Sequence, residues 1–67
     1  MVGPSTQTRT AAELREEARK QFRRARYYVR AAQRYPYMRE NLIASAKVYQ
    51  RTARDLTRRA RELEAQS

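Results

Sequence analysis

The 67-residue chain contains no cysteine, no histidine and no tryptophan, and has one glycine and two prolines. Each absence removes a class of explanation. Without Cys there is no disulfide framework and no thiol nucleophile. Without His, the commonest general base and the usual zinc ligands are missing. The one glycine, Gly3, leaves no glycine-rich phosphate loop. Glu13, Glu16 and Glu17 stand among arginines and do not converge with a second acid cluster. The chain is therefore expected to be non-enzymatic, with no cofactor and no metal. No apolar run approaches the roughly 18–20 residues that span a bilayer. Met1-Val2-Gly3-Pro4-Ser5 lacks the charged start and apolar core of a signal peptide. These features predict a cytoplasmic protein.

What is present is positive charge. Sixteen basic residues stand against seven acidic ones, a net +9, and fourteen of the sixteen are Arg. Nine basic and three acidic residues precede Pro36, and seven and four follow it. Such a balance favours acidic partners: nucleic acid, an anionic membrane surface or an acidic protein. The membrane is the weakest of the three, because the apolar stripe is Ala-rich and Phe22 is its only strong inserter.

The stretch Arg34-Tyr35-Pro36-Tyr37-Met38 organises the chain. Pro36 lacks a backbone N–H and disfavours helical geometry in the residue before it, so a helix arriving from the N-terminal side stops near Arg34. Proline is tolerated in a first helical turn, so a second helix starts at once. Residues 1–9 read as a flexible tail. Thr10-Ala11-Ala12-Glu13 fits a capping box, which opens helix 1 over about residues 10–34. Its apolar positions are Leu14, Ala18, Phe22, Ala25, Val29 and Ala32. Helix 2 covers about residues 37–65, with Leu42, Ala46, Tyr49, Ala53, Leu56, Ala60 and Leu63 at heptad spacing.

Folded back about Tyr37, the halves match large against small. Leu14 meets Ala60, Ala18 meets Leu56, Ala25 meets Tyr49 and Ala32 meets Leu42, while Phe22 and Val29 fall one residue off that register beside Ala53 and Ala46. This predicts an all-α antiparallel helical hairpin over residues 10–65 with its turn near Tyr35-Pro36-Tyr37. One long helix kinked at Pro36 is the competing architecture, and it would not need the size complementarity. A lone hairpin buries a single seam and is marginal in water. Self-association as a homodimeric four-helix bundle is therefore expected.

Two surface features carry the functional reading. On helix 1, Arg15, Arg19, Arg23, Arg26, Arg30 and Arg34 recur every three or four residues; on helix 2, Lys47, Arg51, Arg54, Arg58 and Arg61 do the same. Like charges one turn apart repel, and a polyanion laid along them would relieve that repulsion. Solvated ridges supported by Glu16–Lys20 and Asp55–Arg59 pairs are the plain alternative. Tyr27 lies beside the first ridge and Tyr35 and Tyr37 flank the turn, positions from which bases could be stacked or a protein interface anchored. Tyr49 and Tyr28 fit the core and its edge instead. The leading expectation is a basic protein that contacts nucleic acid mainly through phosphates, with helix 1 the favoured side. The alternatives are an adaptor or structural assembly module whose Arg and Tyr surface meets an acidic partner, or a designed bundle.

The Ala-and-Leu layering at Leu14, Ala18, Ala25, Leu42, Ala46, Ala53, Leu56, Ala60 and Leu63 resembles the Rop-type RNA-binding bundle, a homodimer of helical hairpins. Its turn, Tyr35-Pro36-Tyr37, is not that family's, and layering of this kind implies a packing solution without implying a function. The Leu-Tyr-Arg family of mitochondrial adaptors is set aside because Arg24-Ala25-Arg26 stands where its defining tripeptide would be.

Overall fold

The computed structural model describes residues 9–66. Helix α1 runs Ala11–Arg34, a 3-10 turn spans Pro36–Met38, and helix α2 runs Arg39–Gln66. The expected tail falls outside the described residues except for Arg9.

Local chemistry sets both ends of α1. Thr10 is extended (φ −73°, ψ 160°); its Oγ1 accepts the Glu13 N–H at 3.1 Å, and Glu13 Oε1 accepts the Thr10 N–H at 2.9 Å. The capping box is complete and satisfies two donors that a helix start leaves open. At the other end, Tyr35 takes φ −124°, ψ 77°, outside the helical region as the following proline demands. Its N–H still reaches the Ala31 carbonyl at 2.8 Å. The Met38 N–H then bonds the Tyr35 carbonyl at 2.9 Å, and Arg39 is already helical. Tyr35 is thus the one residue between α1 and the turn. A 3-10 turn over 36–38 precedes α2, so the α-helix proper begins two residues after the expected start.

The two helices pack antiparallel along their length, which excludes the single kinked helix. A side-chain link confirms the return path. Arg15 Nε donates to Glu64 Oε2 at 3.3 Å and its Nη2 to Glu64 Oε1, joining residues 49 positions apart. The buried positions are Leu14, Ala18, Gln21, Ala25 and Ala32 on α1 and Ala46, Ala53, Leu56 and Ala60 on α2. Six of the eight buried hydrophobic residues are alanine, and Ala53 and Ala60 are wholly inaccessible. Small residues let the helix axes approach closely, at the cost of a thin core.

The seam corrects two expected core positions of α1 and leaves Leu42 and Tyr49 of α2, also expected in the core, half-buried. Phe22 is 38% exposed, and Gln21, 8% exposed, is buried in its stead. Val29 is only half-buried, and Tyr28 beside it stacks on Tyr49 with ring centroids 5.5 Å apart and planes at 11°. The inward positions of α1 are thus 14, 18, 21, 25, 28 and 32, a strict alternation of four and three. That spacing keeps one line of side chains facing a neighbouring helix, and continuity of the line outweighs the apolarity of any single residue. It also restores the fold-back symmetry, since Gln21 falls opposite Ala53 and Tyr28 opposite Ala46 in the register that the other pairs follow. Gln21 keeps its amide satisfied by donating to Glu17 Oε2 at 2.8 Å. Leu63, an expected core position near the end of α2, is 38% exposed. Among the described residues, no helix is long and apolar enough to cross a membrane.

Candidate nucleic-acid interface

The phase of each helix follows from its seam. At about 100° per residue, the line beside the seam on α1 carries Phe22 and Val29, and the matching line on α2 carries Ile43, Gln50 and Thr57. Because the helices are antiparallel, both lines lie on the same face of the hairpin. Their side chains meet there. One shallow groove is lined by Phe22, Ala25, Arg26, Val29, Arg30 and Gln50, and a second, nearer the turn, by Val29, Ala32, Gln33, Pro36, Arg39 and Ile43. The Arg15–Glu64 pair closes the far end of the same face.

The arginine ridges flank this groove from both sides. Arg26 and Arg30 of α1 border it directly. On α2, Lys47, Arg54 and Arg61 stand one turn on from Ile43, Gln50 and Thr57, about 40° farther from the seam. Arg23, Arg34, Arg51 and Arg58 lie farther round, on the outer edges opposite the seam, so the ridges are brought together only in part. Sequence reasoning missed Arg39, which lines the groove near the turn. The signal was the seven-residue spacing of 22 and 29 and of 43, 50 and 57, legible only once the seam is fixed.

Ion pairing takes some ridge members out of play. Arg15 is held by Glu64; Arg19 pairs with Glu16 at 2.8 Å and Arg58 with Asp55 at 3.2 Å. These are three-residue spacings, in place of the four-residue Glu16–Lys20 and Asp55–Arg59 pairs expected. Among the described residues, no carboxylate pairs with Arg23, Arg26, Arg30, Arg34, Lys47, Arg51 or Arg54. The basic face therefore keeps most of its charge uncompensated. The hydrogen bond and charge of Glu64 raise the Arg15 guanidinium above its ordinary value, and Arg15 in turn holds the Glu64 carboxyl below the usual carboxylate range. Glu17 is also lowered, first by the Gln21 amide and then by Lys20 and Arg9.

The tyrosines divide. Tyr27 is 68% exposed, meets Tyr28 edge-on at 5.4 Å, and lines a depression with Arg30, Ala31, Arg34 and Tyr35. Tyr35 and Tyr37 are exposed at the turn with rings 6.2 Å apart. Tyr28 and Tyr49 belong to the packing between helices, with the Arg24 guanidinium 5.9 Å from the Tyr49 ring centroid. Among the described residues there is no group of three or more His, Cys, Asp or Glu that could hold a metal ion.

No protein-family model, curated protein or solved structure matches this chain. The layered Ala-and-Leu seam therefore stands as a packing pattern without a family attached.

Proposed function

We propose that the chain is a non-enzymatic binding protein whose basic face contacts nucleic acid through backbone phosphates, with two hairpins paired as a four-helix bundle. The observation that carries this reading is that part of each ridge flanks one face. Arg26 and Arg30 line the groove, and Lys47 and Arg54 stand one turn on from Ile43 and Gln50 of α2, none of them paired with an acid among the described residues. Helix α2 is 28 residues long, about 42 Å at 1.5 Å per residue. Arginines laid against a phosphate backbone would release the cations condensed on it, and that release drives binding. The contact would be electrostatic, with weak sequence preference.

The test removes equal charge from two faces. Arg26→Gln with Arg30→Gln strips the groove face, and Lys20→Gln with Arg59→Gln strips the other side. Titrating a labelled duplex by fluorescence anisotropy between about 50 and 200 mM salt gives the number of phosphate contacts, at roughly 0.9 in log–log slope per contact. The first pair should lower the slope by about two contacts and the second should leave it nearly unchanged. Equal losses from both pairs would mean that the chain answers only to its net charge.

A second reading has its own support. The groove floor is apolar, with Phe22, Val29 and Ile43 along it, and phosphates have no use for such a floor. An acidic amphipathic helix would use both floor and rim. Its binding would survive high salt, where phosphate contacts do not.

A further inference from the structure

The opposite face of the hairpin differs in kind. Its turn-proximal half is made by Tyr28, Ala31 and Tyr35 of α1 and by Leu42, Ser45 and Tyr49 of α2. All are half-buried except the exposed Tyr35. One charged side chain reaches the patch, the Arg24 guanidinium 5.9 Å from the Tyr49 ring centroid. A tyrosine-rich, half-covered surface with a single arginine has the composition of an interface centre, where aromatic residues and Arg are enriched and other charge is depleted.

Two observations say what covers it. The hairpin's own core is thin, since six of its eight buried hydrophobic residues are alanine, so the chain depends on further burial for stability. Charge then selects the face. Two-fold pairing sets one surface against its own copy. Pairing through the groove face would bring Arg26, Arg30, Lys47 and Arg54 against their equivalents, while Glu64, at the far end of that face, is already bound to Arg15. The tyrosine face meets itself with one arginine to accommodate, Arg24, whose guanidinium already lies against the Tyr49 ring, and stacked Tyr28 and Tyr49 offer large, rigid contact area.

We infer that a second copy of this chain packs on the tyrosine face, leaving the two basic faces directed outward on opposite sides of the four-helix bundle. The inference rests on the pairing proposed above and is independent of what the basic face binds.

Ala31 and Val29 provide a matched test. Both are half-buried positions of α1 two residues apart, and they lie on opposite faces of the hairpin. Light scattering should find the unmodified chain and Val29→Glu dimeric, and Ala31→Glu monomeric with its helical circular dichroism retained. A second measurement does not depend on the charged variants folding. The native chain has no cysteine, so a flexible bis-maleimide reacts only with an introduced thiol. Ser45→Cys should yield covalent dimers, and Gln50→Cys, on the groove face, should not. A monomeric unmodified chain, dissociation by Val29→Glu in place of Ala31→Glu, or cross-linking through Gln50→Cys alone would each overturn the assignment. Neither readout involves a duplex, so failure of the nucleic-acid reading registers separately.

Discussion

The seam places a glutamine where an aromatic residue stands next door, and exchanging their roles by mutation tests it sharply. Gln21 is 8% exposed and donates to Glu17, whose side chain remains 31% exposed and open to water. In Gln21→Leu the new side chain has similar volume and buries apolar surface, a gain of about 1.5–3 kcal/mol for full burial. The lost hydrogen bond to a carboxylate offsets about 1.5–3 kcal/mol if Glu17 is left dry. Because Glu17 rehydrates, the offset falls toward the lower end, and the net effect is a stabilisation of about 1 kcal/mol. Phe22→Ala should do little by comparison. With Phe22 38% exposed, its loss should cost about 1–1.5 kcal/mol, against the 3–5 kcal/mol typical of a fully buried Phe. For a domain of this size 1 kcal/mol is about 4–8 °C in Tm. Circular dichroism melts at one fixed protein concentration would read both variants, since association makes Tm concentration-dependent. Gln21→Leu melting lower than the parent, together with a Phe22→Ala loss near that of a buried Phe, would show that the apolar residue holds the seam and that the register is wrong.

Two further perturbations follow from the same packing. Ala53 is wholly inaccessible within the cluster of Leu14, Ala18, Leu56 and Ala60, so Ala53→Leu forces the helices apart and should cost about 1–3 kcal/mol, read by the same melts; an unchanged Tm would count against the close approach. Acidification should loosen the end of the hairpin held by Arg15. Because Glu64 titrates below its ordinary value when folded, the stability it supplies is present above the unfolded value of about 4.3 and is lost as pH falls through the lowered one. Amide exchange in the terminal turns should therefore quicken in acid, and Glu64→Gln should remove that dependence; a dependence that persists in Glu64→Gln would assign it to another carboxylate.

How much of this could be read from the residues alone depends on how local the cause is. The ends of α1 were legible because each is fixed by neighbours: Thr10 with Glu13 at one end, Pro36 acting on Tyr35 at the other. The hairpin was legible from size matching between the halves. The seam was legible at its six alanines and at Leu14 and Leu56; it was not at Phe22 and Val29, where apolar identity points to the wrong line, nor at Leu42, Tyr49 and Leu63, which stay half-buried or exposed. Gln21 looks like a surface residue by composition and Tyr28 like one at the edge of the core, and only the demand for one continuous line facing α2 assigns them inward. The consequence reaches the candidate interface. Adjacent helical residues point about 100° apart, so exchanging two of the six inward positions while Leu14, Ala18, Ala25 and Ala32 stay turns the seam by roughly a third of that step. With Phe22 and Val29 in the seam, no apolar floor would remain beside Arg26 and Arg30. With Gln21 and Tyr28 turned inward instead, Phe22 and Val29 become that floor. The inward place of one buried glutamine therefore decides whether the basic face has an apolar floor at all.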